Sequence, residues 1–111
     1  MGRETLADLL DQAPSTTDVV MCSSDALAQG VLAEAASRSL RVPDDLAVFG
    51  FGDADFAAHT HPRLSTVHVD ARGIGRRAAR LLLARLDGCG TAKPGHRTVD
   101  VSFSLISRDS A

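Results

Sequence analysis

At 111 residues, with 44% hydrophobic and 23% charged residues, the chain has the composition of one modest folded domain and not of a disordered segment. Its 12 basic and 14 acidic residues leave a formal net charge of −2, which gives no sign of a nucleic-acid-binding module, normally basic. All four aromatic residues are Phe, which suits an aliphatic α/β core, and the two cysteines, Cys22 and Cys89, are too few and too far apart for a disulfide framework.

The first twenty residues contain Asp8, Asp11, Pro14 and Asp18 and no apolar stretch of signal-peptide length, so the reading is a cytoplasmic protein with reduced thiols. No apolar run approaches the ~20 residues that span a bilayer. The segment 1–12 reads as a helix: Leu6, Leu9 and Leu10 fall on one face, and Glu4 lies near the amino end. A Pro/Ser/Thr linker over 13–17 leads to a short buried strand over 18–22, which stops at Ser23-Ser24-Asp25. A second helix follows from Ala26 to about Ser39, with Leu27, Val31, Leu32, Ala35 and Ala36 apolar at helical spacing and Ser24 or Asp25 as its N-cap. Gly30 inside that helix costs about 1 kcal/mol relative to Ala, and implies close approach of another backbone, from the sheet or a second subunit.

The stretch Leu46-Ala-Val-Phe-Gly-Phe-Gly-Asp-Ala-Asp55 organises the rest of the chain. It starts as a buried parallel strand, breaks at Gly50 and Gly52, and ends in carboxylates. In open α/β sheets ligands bind outside the carboxyl ends of such strands, so polar groups beside Gly52 are the place to expect a small molecule. A strand–helix–strand unit in this order is parallel with a right-handed crossover. One or two helical turns over 53–59, an alternating strand over 64–69, a long helix over 71–87 ended by Gly88, a Gly/Pro/Lys loop over 89–97 and an alternating last strand over 98–106 complete the reading.

Ser23-Ser24-Asp25 lies at a strand end and a helix start, where backbone N–H groups and the helix dipole favour anionic or hydroxylated ligands. Capping is the leading reading for Asp25, and Ser24 is the better candidate for a ligand contact; no Gly-x-Ser-x-Gly turn surrounds it to make a hydrolytic serine. Gly50-Phe-Gly52 and Gly73-Ile-Gly75 are incomplete as dinucleotide fingerprints. His59, His61 and His68 match no zinc spacing and read as solvated, so no metal and no cofactor is expected. Arg72, Arg76 and Arg80 line one face of the long helix, as a solvated face or one at a domain or subunit boundary.

The order of Val-Met-Cys-Ser-Ser-Asp25, Ala28-Gln-Gly30, Arg41-Val-Pro-Asp-Asp-Leu46 and Val48-Phe-Gly-Phe-Gly-Asp53 resembles the effector-binding domain of the LacI/GalR family of bacterial transcription repressors. Pro62-Arg-Leu-Ser-Thr-Val67, Asp70, Ile74-Gly75 and Phe103-Ser-Leu-Ile-Ser-Arg108 continue the match over nearly the whole chain. Cys22 to Asp25, Phe49 to Asp53 and Phe56 to Pro62 look most like the gluconate-operon repressor branch. The resemblance implies an α/β fold, a three-layer parallel-sheet lobe of the periplasmic-binding-protein-like (type I) class, here truncated. It places residues 1–65 in the C-terminal lobe and 66–97 in the crossover and a helix normally in the other lobe. Residues 98–111 are then the returning strand, and the DNA-binding helix-turn-helix is absent.

The resemblance further implies no enzymatic activity, a sugar or sugar-acid effector, operator DNA bound only through the missing domain, a homodimer and no membrane. Effector contacts would come from Ser24, Asp25, Gly52 and Asp53. Typical members have Asn-Asp at Ser24-Asp25 and an Asp at Gly52 that holds sugar hydroxyls. Loss of that carboxylate lowers repulsion toward an anion, which favours a sugar acid such as gluconate. The apolar face of the long helix, Ile74, Leu81 and Leu82, would lack its usual partner and either fold back or pair between chains. The competing reading is a fragment of a periplasmic sugar-binding protein of a transporter, which shares the fold.

Overall fold

The computed structural model describes residues 1–12, 17–86, 88 and 98–111. It is a mixed α/β fold: α1 (Gly2–Gln12), β1 (Val19–Met21), α2 (Asp25–Ser37), β2 (Ala47–Gly52), a 3₁₀ turn (Asp55–His59), β3 (Ser65–Val69), α3 (Ala71–Leu86) and β4 (Phe103–Ile106). The strands form one sheet in the order β1-β2-β3-β4. β1 runs parallel to β2 with Val20 opposite Val48, and β2 runs parallel to β3 with Gly50 opposite Thr66 and Gly52 opposite His68. The chain divides into two compact units, Met1–His68 with Ser104–Ala111, and Val69–Phe103.

In the first unit the core is aliphatic. Leu6 of α1, Ala28, Val31, Leu32 and Ala35 of α2, and Leu46, Val48 and Leu64 at the sheet make one buried cluster, joined by Cys22 and by Ala57 of the 3₁₀ turn. Burial pushes the Cys22 thiol up from its ordinary range, as an inert core thiol requires. Cys89, like the loop expected over 89–97 and most of the linker over 13–17, lies outside the described residues.

Gly30 does serve a close backbone approach, but its partner is α1, neither the sheet nor a second subunit. A Cβ on Gly30 would lie 3.0 Å from the Gly2 Cα, and one on Gly2 would collide with the Leu27 carbonyl oxygen. The two helices therefore cross at glycines, where backbone meets backbone. Two arginines tie the same pair together from the surface: Arg3 of α1 donates to Glu34 of α2 at 3.2 Å, and Arg38 at the end of α2 donates to Asp11 of α1 at 2.9 Å.

Two strands differ from the sequence expectation. β1 was expected to be buried, yet Val19 and Met21 are 60% and 69% exposed; it is an edge strand whose two faces differ, with Val20 packed against the core cluster. β3 was expected to alternate, yet Leu64, Ser65, Thr66 and Val67 are all buried, because it lies between β2 and β4. The last strand is also shorter, with residues 98–102 outside regular structure.

The carboxyl end of the chain stitches this unit. The Ser110 hydroxyl donates to the Val48 carbonyl at 2.6 Å and accepts from the Ser65 N–H at 2.8 Å, while the Ser110 carbonyl accepts from the Val48 N–H at 2.8 Å. Asp109 meets Arg63 through both oxygens, at 2.7 and 2.9 Å. In the second unit, Asp70 accepts from the Gly73 N–H at 2.9 Å and so opens α3, whose residues are all exposed or half-buried. Arg72, Arg76 and Arg80 are exposed and have no hydrogen-bond or ion-pair partner among the described residues.

Candidate functional site

The candidate site is built where β2 ends and α2 begins. Ser24 is the N-cap of α2, with its hydroxyl oxygen accepting from the Leu27 N–H at 3.3 Å. Asp25 is the first residue of the helix and not its cap. It is 2% exposed, and its carboxylate crosses to the strands: Oδ1 accepts the Thr66 hydroxyl at 2.6 Å and Oδ2 accepts the Ala54 N–H at 2.6 Å. A buried carboxylate persists when its lone pairs are met in this way.

Gly50 leaves the room that Asp25 needs. A Cβ there would collide with Asp25 Oδ1 and approach Leu64 Cδ2 to 3.0 Å. Gly52, two residues on, has φ +122°, and Asp53 follows at φ +53°. The first value is open to glycine and strained for other residues, so the turn out of β2 requires Gly52. A Cβ on Gly52 would meet only Asp25 Oδ2, at 3.9 Å, so the strand end is open at this point.

Asp53 is held on both sides. Arg108 Nη2 donates to Oδ1 at 2.7 Å and His68 Nδ1 lies 3.0 Å from Oδ2; the Asp53 N–H reaches Thr66 Oγ1 at 3.4 Å. Arg108 is itself anchored, with Nη1 on the Leu64 carbonyl at 2.8 Å and its backbone N–H on Ser65 Oγ at 2.9 Å. The Arg108 hydrogen bond is the main cause that holds the Asp53 carboxyl below the usual carboxylate range; partial burial opposes it, and His68 adds to the lowering.

Of the four residues named from sequence, Ser24, Asp25, Gly52 and Asp53, the structure brings Asp25, Gly52 and Asp53 together around one turn, with Ser24 at the neighbouring helix start. Sequence reasoning missed Thr66 and Arg108 and weighed His68 only as a metal ligand. Among the described residues no group of three His, Cys, Asp or Glu side chains could hold a metal ion. Parity along the strands carries a signal for Thr66 and His68: from the pairing of Gly50 with Thr66 and Gly52 with His68, they share the face that Asp25 packs against. No local signal marks Arg108, which is 55 residues from Asp53.

The periplasmic binding protein-like domain family matches residues 2–111. The HTH-type transcriptional regulator GntR of Pseudomonas aeruginosa is 39% identical over 110 residues, covering 99% of this chain and 31% of that protein. The chain belongs to the periplasmic binding protein-like domain family, and the relatives it matches are LacI-type regulators. Among solved structures of this family, the transcriptional regulator CelR in complex with cellobiose superposes at TM-score 0.91 with 32% identity, over 99% of this chain and 32% of that one. The transcription regulator GntR from Chromobacterium violaceum superposes at TM-score 0.83 with 38% identity, over 99% of this chain and 39% of that one. The chain thus spans about a third of these LacI-type proteins, which are regulators and not enzymes.

Proposed function

We propose that this chain is the effector-sensing and dimerising portion of a cytoplasmic bacterial LacI-type repressor that answers to a sugar or sugar acid, with gluconate the leading candidate. One observation carries the reading: the open carboxyl end of β2 at Gly52, where the side-chain space is empty while Asp25 and Asp53 beside it are pinned by protein donors. Both carboxylates have their oxygens engaged, so they act on the effector through the turn they hold in place. Ser24, half-buried at the start of α2, and the backbone around Gly52 supply direct polar contacts. The similarity to the regulator CelR in complex with cellobiose supports a polyhydroxy ligand.

In this reading residues 1–65 belong to the lobe that carries the turn, 66–97 to the crossover and a helix of the second lobe, and 98–111 to the returning strand. The effector favours one arrangement of the lobes over another, and operator DNA is read by a separate helix-turn-helix. The deciding experiment is calorimetric titration of the intact-length protein that carries this chain with sodium gluconate, glucose and cellobiose. Saturable binding of gluconate in preference to glucose is the expected result. Tighter binding of either neutral sugar would overturn the sugar-acid part and leave the sugar-sensing part standing.

A further inference from the structure

We infer that His68 reads the acid group of the effector, an inference that rests on the sugar-acid reading above and takes it one residue further. His68 stands directly across the β2–β3 ladder from Gly52, the position with empty side-chain space. Its ring is 48% exposed, and Nδ1 lies 3.0 Å from Asp53 Oδ2. That contact sets Nδ1 as the donor to the carboxylate and leaves Nε2 with no partner among the described residues. Asp53 is thereby a support for the imidazole, much as a carboxylate fixes the tautomer and orientation of a histidine elsewhere.

The charges around the ring determine what it prefers. From the turn after β2 it faces Asp53, and from the chain end Arg108 lies beyond that carboxylate, so these two offset one another. From α2, Asp25 stands behind Thr66, buried and taken up by Thr66 and Ala54. β4, Phe-Ser-Leu-Ile, brings no charged side chain to the other side of β3. Asp53 and Arg108 offset one another, while the Asp25 carboxylate remains, with Oδ2 3.9 Å from the side-chain space at Gly52, so a protonated His68 supplies the positive charge that an anion at that point needs. A protonated ring donates a charge-assisted hydrogen bond from Nε2 to a carboxylate, whereas a neutral ring presents a lone pair to it. Gly52, without a side chain, lets that carboxylate come close to the strand end. The residue across the ladder thus favours an anion over a neutral hydroxyl.

The test is NMR titration of the chain and of its His68→Gln and His68→Arg variants with sodium gluconate, glucose and sodium acetate at pH 6 and pH 8, following the Gly52, Asp53 and His68 signals. The method reads millimolar affinities, and the amide spectrum reports folding of each variant. The expected result is saturable gluconate shifts at Gly52, with affinity about tenfold higher at pH 6 than at pH 8. His68→Gln loses the tightening at pH 6, and His68→Arg binds equally at both values. Gluconate binding in His68→Gln with unchanged affinity and unchanged pH dependence overturns the role of His68 and leaves the sugar-acid reading intact. Acetate shifts equal to those of gluconate overturn the sugar-acid reading while supporting an anion contact. No saturable gluconate shift at Gly52 in the parent chain overturns the reading and the inference with it.

Discussion

At the scale of single residues, the candidate site is a set of side chains that complete one another's hydrogen bonds. Asp25 is the centre of it: one oxygen serves β3 through Thr66, the other serves the backbone after β2 through Ala54. Hydrogen bonds to a charged group contribute about 1.5–3 kcal/mol, and losing one partner leaves a buried polar group unmet. Asp53 repeats the pattern nearer the surface, with Arg108 and His68 as its donors. Its folded-state titration lies below the unfolded carboxylate value of about 3.9, so the folded chain binds fewer protons there. The stability it lends is therefore complete above that value and is lost as the pH falls through the folded one. In Arg108→Gln, Asp53 should titrate closer to the ordinary carboxylate range and its share of acid resistance should shrink to what His68 supplies, as read by carboxyl carbon shifts in an acid titration. An unmoved titration in that variant would mean that another group holds the carboxylate.

At the scale of elements, glycines decide how closely the pieces approach. α1 and α2 meet at Gly2 and Gly30, a crossing with no room for a side chain on either partner. The penalty of about 1 kcal/mol for Gly inside α2 is offset by the contact it allows. Gly50 has the same role between β2 and Asp25. Gly50→Ala should cost about 1–3 kcal/mol through overpacking, because the new methyl group pushes against a carboxylate that has no slack. A fall in the urea midpoint together with weakened protection of the Ala54 amide from exchange is the expected signature. A midpoint equal to that of the parent would show that Asp25 can step aside without losing Thr66 and Ala54. The two helices and the 3₁₀ turn were legible in the sequence because amphipathic spacing and caps are local. The partner of Gly30 was not, since a glycine signals that something comes near without saying what.

At the scale of the whole molecule, much apolar surface has no cover. In the unit Val69–Phe103, α3 has no buried residue, and Leu82 and Leu86 are 60% and 72% exposed. In the unit that carries β1, Val19 and Met21 are open on one face of the edge strand. Exposed apolar groups of this extent mark surfaces meant for another protein surface. A homodimer is the proposed arrangement, with α3 at its contact. Sedimentation equilibrium at micromolar concentration should give a dimer, and Leu82→Glu with Leu86→Glu should return it to a monomer. A compact monomer for the parent chain would exclude that arrangement.

The sequence by itself determined the α/β class, the order of helices and strands, the glycine turn at the end of β2 and the likeness to LacI-type regulators, because each is written in short-range periodicity, turn chemistry or ordered motifs. The rule for strand ends in open sheets also pointed to the polar groups beside Gly52, and the family resemblance joined Ser24, Asp25, Gly52 and Asp53 into one set. Which of Ser24 and Asp25 caps α2 was decided only in three dimensions: Asp25 is drawn away to Thr66 and Ala54, 41 and 29 residues distant in the chain, and the cap falls to Ser24. The same holds for Arg108 on Asp53, and for Ser110 between Val48 and Ser65. Such pairings depend on which strands lie side by side and in what register, and no local preference of the chain encodes that.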